Sequence, residues 1–310
     1  MNKIIRSMRK TYVPAFCLLM LFAAVPPGAV HAERDRPVRI AYTDWADSVA
    51  NANIVRAVLQ EEMGIRCNLV MMGADEMWEA VAAGEVDAMV SAWLPDTHAH
   101  YKKAFGDRVV DLGPNVTGAR TGLVVPDVRL GRLAAGAGIR QSYITIDAIG
   151  EMKDHADKFN RRIIGIEPEA GIMRQASEAL EIYDLDEDFE LVRGSESEMI
   201  DALSMAIRHQ RWIVVTGWVP HWSFAKWNLK FLEDPENVFG EPGYIHTLVR
   251  EGLEEQQPEV YRFLDNFYWE PEDIGQVMLW IEDDRGRFPY DKALRWIRAN
   301  PDTVRNWTGQ

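Results

Sequence analysis

The stretch Asp87-Ala88-Met89-Val90-Ser91-Ala92-Trp93-Leu94-Pro95-Asp96-Thr97-His98 decides how the chain is read. An apolar run of strand length ends in Trp93, Pro95 stops it, and a helical pattern opens with the titratable His98 in its first turn. Two other tryptophans close strand-like runs in the same manner. Trp45 ends Ile40-Ala41-Tyr42-Thr43-Asp44-Trp45, and Trp218 ends Ile213-Val214-Val215-Thr216-Gly217-Trp218.

Working outward, a strand at Val38–Tyr42 is followed by a helix from about Val49 to Met63, which Gly64 ends. A strand at Cys67–Met72, a helix at Glu76–Ala83 closed by Gly84, and the strand Asp87–Ala92 complete a strand–helix alternation. That rhythm predicts an α/β fold with a mainly parallel sheet covered by helices. It recurs as strand Arg162–Ile166, helix Ala170–Ile182, strand Phe189–Arg193, helix Glu196–His209 and strand Trp212–Thr216. Thr121–Pro126 is a strand closed by proline and the expected first crossing between two lobes. Tyr244–Val249 carries the chain back, and helices near 258–266, 273–282 and 291–299 pack on the first lobe. Residues 127–150 are glycine-rich and yield no element. The expected division is 33–124 with 245–310 in lobe I and 125–244 in lobe II. In parallel sheets ligands bind beyond the carboxyl ends of strands, where Trp45 and Trp93 fall.

Residues 1–32 read as a cleaved export signal: Lys3, Arg6, Arg9 and Lys10, a mostly apolar run over Val13–Val25, then Ala29-Val30-His31-Ala32, with cleavage near Ala32. The run is interrupted by Pro26-Pro27 before it reaches the length of a membrane span. The expected product is exported and monomeric. Losing the signal takes the formal charge from −14 to about −18. So acidic a surface disfavours nucleic acid and anionic lipid as partners. Cys67 is then the sole cysteine, which excludes an internal disulfide.

A quaternary ammonium ion donates no hydrogen bond, so a protein holds it on aromatic faces, at roughly 0.5–2 kcal/mol per ring. Three rings supply about 2–6 kcal/mol, short of the roughly 8 kcal/mol of micromolar binding. A carboxylate on the same ligand would add a second point of recognition. Gly171 and Ile172 follow a strand and open a helix, so their N–H groups point outward without intrahelical partners. His98 is placed to reach the same anion. One strand-end tryptophan is most simply a core or rim residue; three at equivalent ends argue for a cage of Trp45, Trp93 and Trp218. The other eight read as packing, with Trp222 and Trp227 near the rim.

The motifs TDWAD (43–47), SAWLPDTH (91–98), TGLVVP (121–126), GIEPEAGIM (165–173), VVTGWVPHW (214–222) and KFLEDPENVFG (230–240) resemble the glycine betaine-binding proteins of ABC-type osmoprotectant uptake systems. The resemblance implies a two-lobed, type II periplasmic binding protein with its ligand in the interlobe cleft. It also implies an aromatic prism of Trp45, Trp93 and Trp218 around a trimethylammonium group. His98 and the Gly171 and Ile172 amides would hold the carboxylate, and the closed form would dock on an inner-membrane ABC permease.

Two positions leave alternatives open. Glu169 stands where that family usually has glycine, and either competes for the Gly171 and Ile172 amides or points into solvent beside the helix dipole. Asp47 either faces the alcohol end of a choline-like ligand or caps the helix beginning near Val49. Choline, carnitine and proline betaine are alternative ligands of the same class. A glycan-binding module or an enzyme acting on choline derivatives are the rival classes. No H-E-x-x-H, G-x-S-x-G or phosphate-binding loop is present, and neither cofactor nor metal is expected.

Overall fold

The computed structural model describes residues 36–127 and 143–309. The expected export signal over residues 1–32 and most of the glycine-rich stretch 127–150 lie outside the described residues. No helix of the described residues is long and apolar enough to cross a membrane.

In the first part of the chain, β1 (Val38–Tyr42), α1 (Ala46–Ala57), β2 (Cys67–Met71), α2 (Ala74–Ala82), β3 (Ala88–Leu94) and α3 (Ala99–Phe105) alternate as the hydrophobic rhythm predicts. β4 (Val109–Pro126) then runs through both halves of the molecule. β5 (Arg162–Ile164), α4 (Gly171–Ile182), β6 (Glu190–Val192), α5 (Glu196–His209) and β7 (Val214–Val219) repeat the alternation. β8 (Leu229–Phe231) and β9 (Gly243–Arg250) follow. The strands join in the order β2-β1-β3-β9-β4-β7-β5-β6, with β8 beside β4. The outer strands pair in parallel, β1 with β2 and β3, and β5 with β6 and β7. Around β4 and β9 the pairing is antiparallel.

β4 changes partner along its length. Residues up to Ala119 pair with β9, and Arg120 onward pairs with β7. The first part of this strand is hidden in the sequence because Gly113, Pro114 and Gly118 break its alternation. The structure absorbs them in register shifts between Asp111 and Ala119, with Gly113 and Gly118 at positive φ.

β3 is buried along its whole length. Asp87, just before it, accepts hydrogen bonds from Arg36, Arg250 and the Arg39 amide, so its buried charge is paired. Asn51 of α1 donates to the Val90 carbonyl at 3.1 Å and accepts from the Trp269 indole at 2.8 Å. Deleting that side chain would leave the buried Trp269 indole N–H unpaired, at about 1–3 kcal/mol, while the Val90 carbonyl keeps its bond from Asn115. The helices Pro271–Asp283 and Pro289–Ala299 pack on α1, so the C-terminal region braces the first half. Each opens on a proline, whose missing N–H is harmless in a first helical turn.

In the second half, Ser195 caps α5 by accepting from the Glu198 amide, while Glu198 accepts from the Ser195 amide at 2.8 Å. β3 and β7 end alike. Trp93-Leu94-Pro95 and Trp218-Val219-Pro220 both carry a cis X–Pro bond after the tryptophan. The architecture is the expected α/β fold of two lobes, each half a sheet flanked by helices.

Candidate functional site

Trp45, Trp93 and Trp218 come together around a pocket of about 290 Å³ between the two halves of the sheet. Their side chains are 6, 5 and 4% exposed. Each is delivered by the turn of a strand into the loop or helix that follows. His98, Gly171 and Ile172 line the same pocket, as does Asp47. All seven residues singled out in the sequence are therefore neighbours in space. Thr97, Thr121, Ile166 and Ala170 complete the wall; nothing in their local pattern distinguishes them from ordinary strand-end and turn residues.

The indole N–H groups are each taken by a carboxylate. Asp47 accepts from Trp93 through Oδ2 at 3.3 Å and from Trp218 through Oδ1 at 3.2 Å. Trp45 donates to Oε2 of Glu167 at 3.1 Å. Asp47 lines the pocket but does not cap the helix. α1 begins at Ala46, ahead of the expected Val49, and its N-cap is Trp45, without a side-chain cap. Asp47 sits in the first turn with both oxygens engaged by indoles. Burial and the nearby Glu196 carboxylate push its pKa up to about 7, against the pull of His221 and the Trp93 N–H.

His98 is fully buried, and its hydrogen bonds assign its tautomer. Nδ1 accepts from the Trp93 amide at 3.1 Å and from the Trp78 indole at 3.3 Å. Two donors on Nδ1 leave the proton on Nε2. Nε2 has no hydrogen-bond partner among the described residues, in a ring that lines the pocket. Burial, with a contribution from His100, lowers the His98 pKa to about 3, so the ring is neutral at ordinary pH. An unsatisfied buried donor costs about 1–3 kcal/mol, which an incoming acceptor would relieve.

Gly171 and Ile172 are the first two residues of α4, whose amides have no intrahelical acceptor; the next amide, Met173, turns back to the Ala170 carbonyl at 2.9 Å. Gly171 is required there by close approach. A β-carbon on it would stand 2.2 Å from the Thr97 carbonyl oxygen. The pocket thus offers aromatic faces to a cation and three N–H donors to an anion.

Glu169 does not line this pocket. Its carboxylate extends toward Gly73, with Oε1 3.5 Å from where a Gly73 β-carbon would be, at the start of α2. A carboxylate suits the positive end of that helix. Its backbone carbonyl accepts from the Tyr101 hydroxyl at 2.7 Å.

Several contributors escaped the sequence reading. Trp78, grouped there with packing residues, orients His98. Glu167 and Glu196 stand behind the cage, and their partners are 122 and 150 residues away, so no local spacing could reveal them.

A family model described as the substrate-binding domain of ABC-type glycine betaine transport systems matches residues 36–299. The glycine betaine/carnitine transport binding protein GbuC of Listeria monocytogenes is 46% identical over 157 residues, 50% of this chain and 52% of that protein. The chain thus spans about half the length of this curated relative. Lactococcal OpuAC, solved closed with glycine betaine, aligns with a TM-score of 0.79 at 36% identity, covering 88% of this chain and 100% of the other. The glycine betaine/L-proline-binding protein ProX of Borrelia burgdorferi aligns at 0.80 and 33% identity, covering 88% and 97%. A choline-binding protein in complex with choline shares the fold, with a TM-score of 0.77 at 24% identity over 88% of this chain and 91% of that one. The chain belongs to the family of substrate-binding domains of ABC-type glycine betaine transport systems.

Proposed function

We propose that this protein captures glycine betaine, or a closely related betaine, for an ABC importer. The observation that carries the reading is the pairing of opposite demands in one pocket. Three buried indoles face a space whose other wall holds the unpartnered His98 Nε2–H and the Gly171 and Ile172 amides. The trimethylammonium group would sit against Trp45, Trp93 and Trp218, and the carboxylate would accept from His98, Gly171 and Ile172. The neighbouring solved structure with glycine betaine bound supports this choice of ligand.

Asp47 decides between betaines and choline. Both of its oxygens are held by indole N–H groups, which leaves it poorly disposed to accept from a ligand alcohol. Choline is therefore a weaker fit than a ligand ending in a carboxylate. The protein is exported on a signal cleaved near Ala32 into the periplasm, acts as a monomer, and delivers its ligand to an inner-membrane permease.

The lobes comprise roughly 33–124 with 245–310, and 125–244. The exchange of β4 partners between Ala119 and Arg120 supports a first crossing slightly earlier than residues 122–126. The ligand touches both lobes and so favours closure by its differential affinity for the closed state.

Thermal shift and calorimetry with glycine betaine, proline betaine, carnitine and choline test the reading. Stabilisation by the three carboxylate-bearing ligands, with choline much weaker, is expected. Binding of choline alone would overturn the assignment of His98 and the α4 amides. Binding of neutral sugars alone would favour a glycan module.

A further inference from the structure

Glu196 stands outside the pocket wall, yet it touches both sides of the cage. It is the first residue of α5 and is buried. Its Oε2 accepts the Ala46 N–H at 3.0 Å, across the cleft at the first residue of α1, between Trp45 and Asp47. Its Oε1 meets Nε2 of His221 at 2.9 Å. His221 Nδ1 accepts from the Ser223 amide at 3.0 Å, so Nε2 carries the proton and donates to Glu196. The His221 ring stands edge-on to the Trp218 indole, with centroids 4.8 Å apart. One carboxylate is thus tied to the backbone beneath Trp45 and to the ring packed on Trp218.

α1 needs this partner. Its N-cap is Trp45, which has no side-chain acceptor, and the acid in its first turn, Asp47, is turned to the indoles. The amides at the start of a helix are orphan donors at its positive end and favour an anionic acceptor. Within the first half α1 supplies no such cap. Glu196 supplies it from the other half, and only while the halves are together. The His221 bond lies within the second half and persists when they part.

We infer that Glu196 is a positioning residue that caps α1 across the cleft and so couples closure to assembly of the tryptophan cage. Resting on the reading of the pocket as a betaine site, the coupling appears chiefly in ligand release. Opening must break the Glu196–Ala46 bond, so the bond lengthens the life of the closed complex without contacting ligand.

The test uses the full mature chain with Glu196→Ala and Glu196→Gln. Glycine betaine dissociation is followed by tryptophan fluorescence, thermal midpoints are measured without ligand, and hydrogen exchange is read over residues 44–49. Loss of a charge-assisted bond predicts dissociation about tenfold faster in E196A, with association little changed. E196Q should fall between, because its amide oxygen accepts from Ala46 while its NH2 cannot accept from His221. The unliganded midpoint should fall modestly in both, because the His221 bond is lost in the open form too, and by much less than the loss of ligand affinity.

Wild-type dissociation in E196A would overturn the inference, as would an unliganded midpoint falling in step with affinity, which marks a purely structural role. Exchange at Ala46 is read with and without glycine betaine. Should wild type bind no betaine, the reading of the site fails, yet faster Ala46 exchange in E196A would still support the cap. Unchanged exchange in the betaine-bound protein would overturn it.

Discussion

The two strand ends that face each other across the cleft are built alike and finished differently. β3 and β7 each end in a tryptophan followed by a cis X–Pro bond and a nearby histidine. Both histidines accept a backbone amide on Nδ1, His98 from Trp93 and His221 from Ser223, so both carry the proton on Nε2. The difference lies in what meets that proton. His221 gives it to Glu196, and His98 gives it to nothing among the described residues. A satisfied N–H is part of the scaffold. An unsatisfied one, buried in a pocket wall, costs the fold free energy until an acceptor arrives, which is what the proposed recognition role requires.

The severest way to break the His98 side is Gly171→Ala. Its methyl would meet the Thr97 carbonyl, a backbone atom that cannot swing aside, so closure is obstructed. A clash of this kind costs about 1–3 kcal/mol or more, so betaine affinity should fall by up to about a hundredfold or beyond. The unliganded melting point should hold, since an open molecule avoids the contact. Calorimetry and melting of the same preparation decide the matter.

Next in size is His98→Asn, in which the amide oxygen can still accept from Trp93 and Trp78 while the Nε2–H is lost. Glycine betaine should weaken by roughly tenfold to fiftyfold, and choline by much less, because only the former presents a carboxylate to that donor. Equal losses for both ligands would return His98 to a structural role alongside His221.

Asp47→Asn sharpens the comparison from the cation side. An amide offers one acceptor to two indole donors, so a loss on the order of tenfold is expected. Asp47 also governs pH dependence. Its folded pKa, near 7, lies above the unfolded value of 3.8, so the stability linked to its neutral form is fully present below about pH 4 and lost as pH rises through 7. A bound cation favours the carboxylate, so affinity should rise with pH up to about 7 and binding should release a proton. D47N should abolish that slope. His98 runs the other way in stability. Its folded pKa near 3 lies below 6.5, so its contribution is complete above pH 6.5 and declines as pH falls toward 3. It contributes no change of its own charge to binding between pH 5 and 8. Calorimetry across that range in two buffers separates the two residues.

The smallest effect belongs to Ser223→Ala. It removes the hydroxyl 2.7 Å from His221 Nδ1 but keeps the backbone donor, so an affinity change within about threefold is expected. A much larger loss would mean that the His221 side is as sensitive as the His98 side.

Much of this site is legible in the chain because each ring terminates a local pattern. Apolar runs ending at Trp45, Trp93 and Trp218 mark strand ends, and Pro95 marks the turn that brings His98 beneath Trp93. Gly171 and Ile172 open a helix after a strand, which is readable from the strand–helix alternation. The helix Glu196–His209 was readable from its place in the same alternation, and the structure adds the Ser195–Glu198 capping box that starts it. The first part of β4 was not readable, since Gly113, Pro114 and Gly118 erase the alternation that a strand ordinarily displays. Trp78 looked like core because nothing adjacent to it in sequence reveals that its N–H finds His98.

What the sequence determined by itself was a set of residues that line one pocket and the strand and helix ends that present them. Hydrophobic period, capping and turn chemistry act over a few residues and need no distant partner. Only the tertiary structure decided what stands behind those groups: Asp47 shared between two indoles, Glu167 on Trp45, and Glu196 joining Ala46 to His221. Each of these contacts joins residues from opposite halves of the molecule or from separate elements of one half. A carboxylate's role follows from which donors surround it after folding, and sequence spacing carries no trace of that.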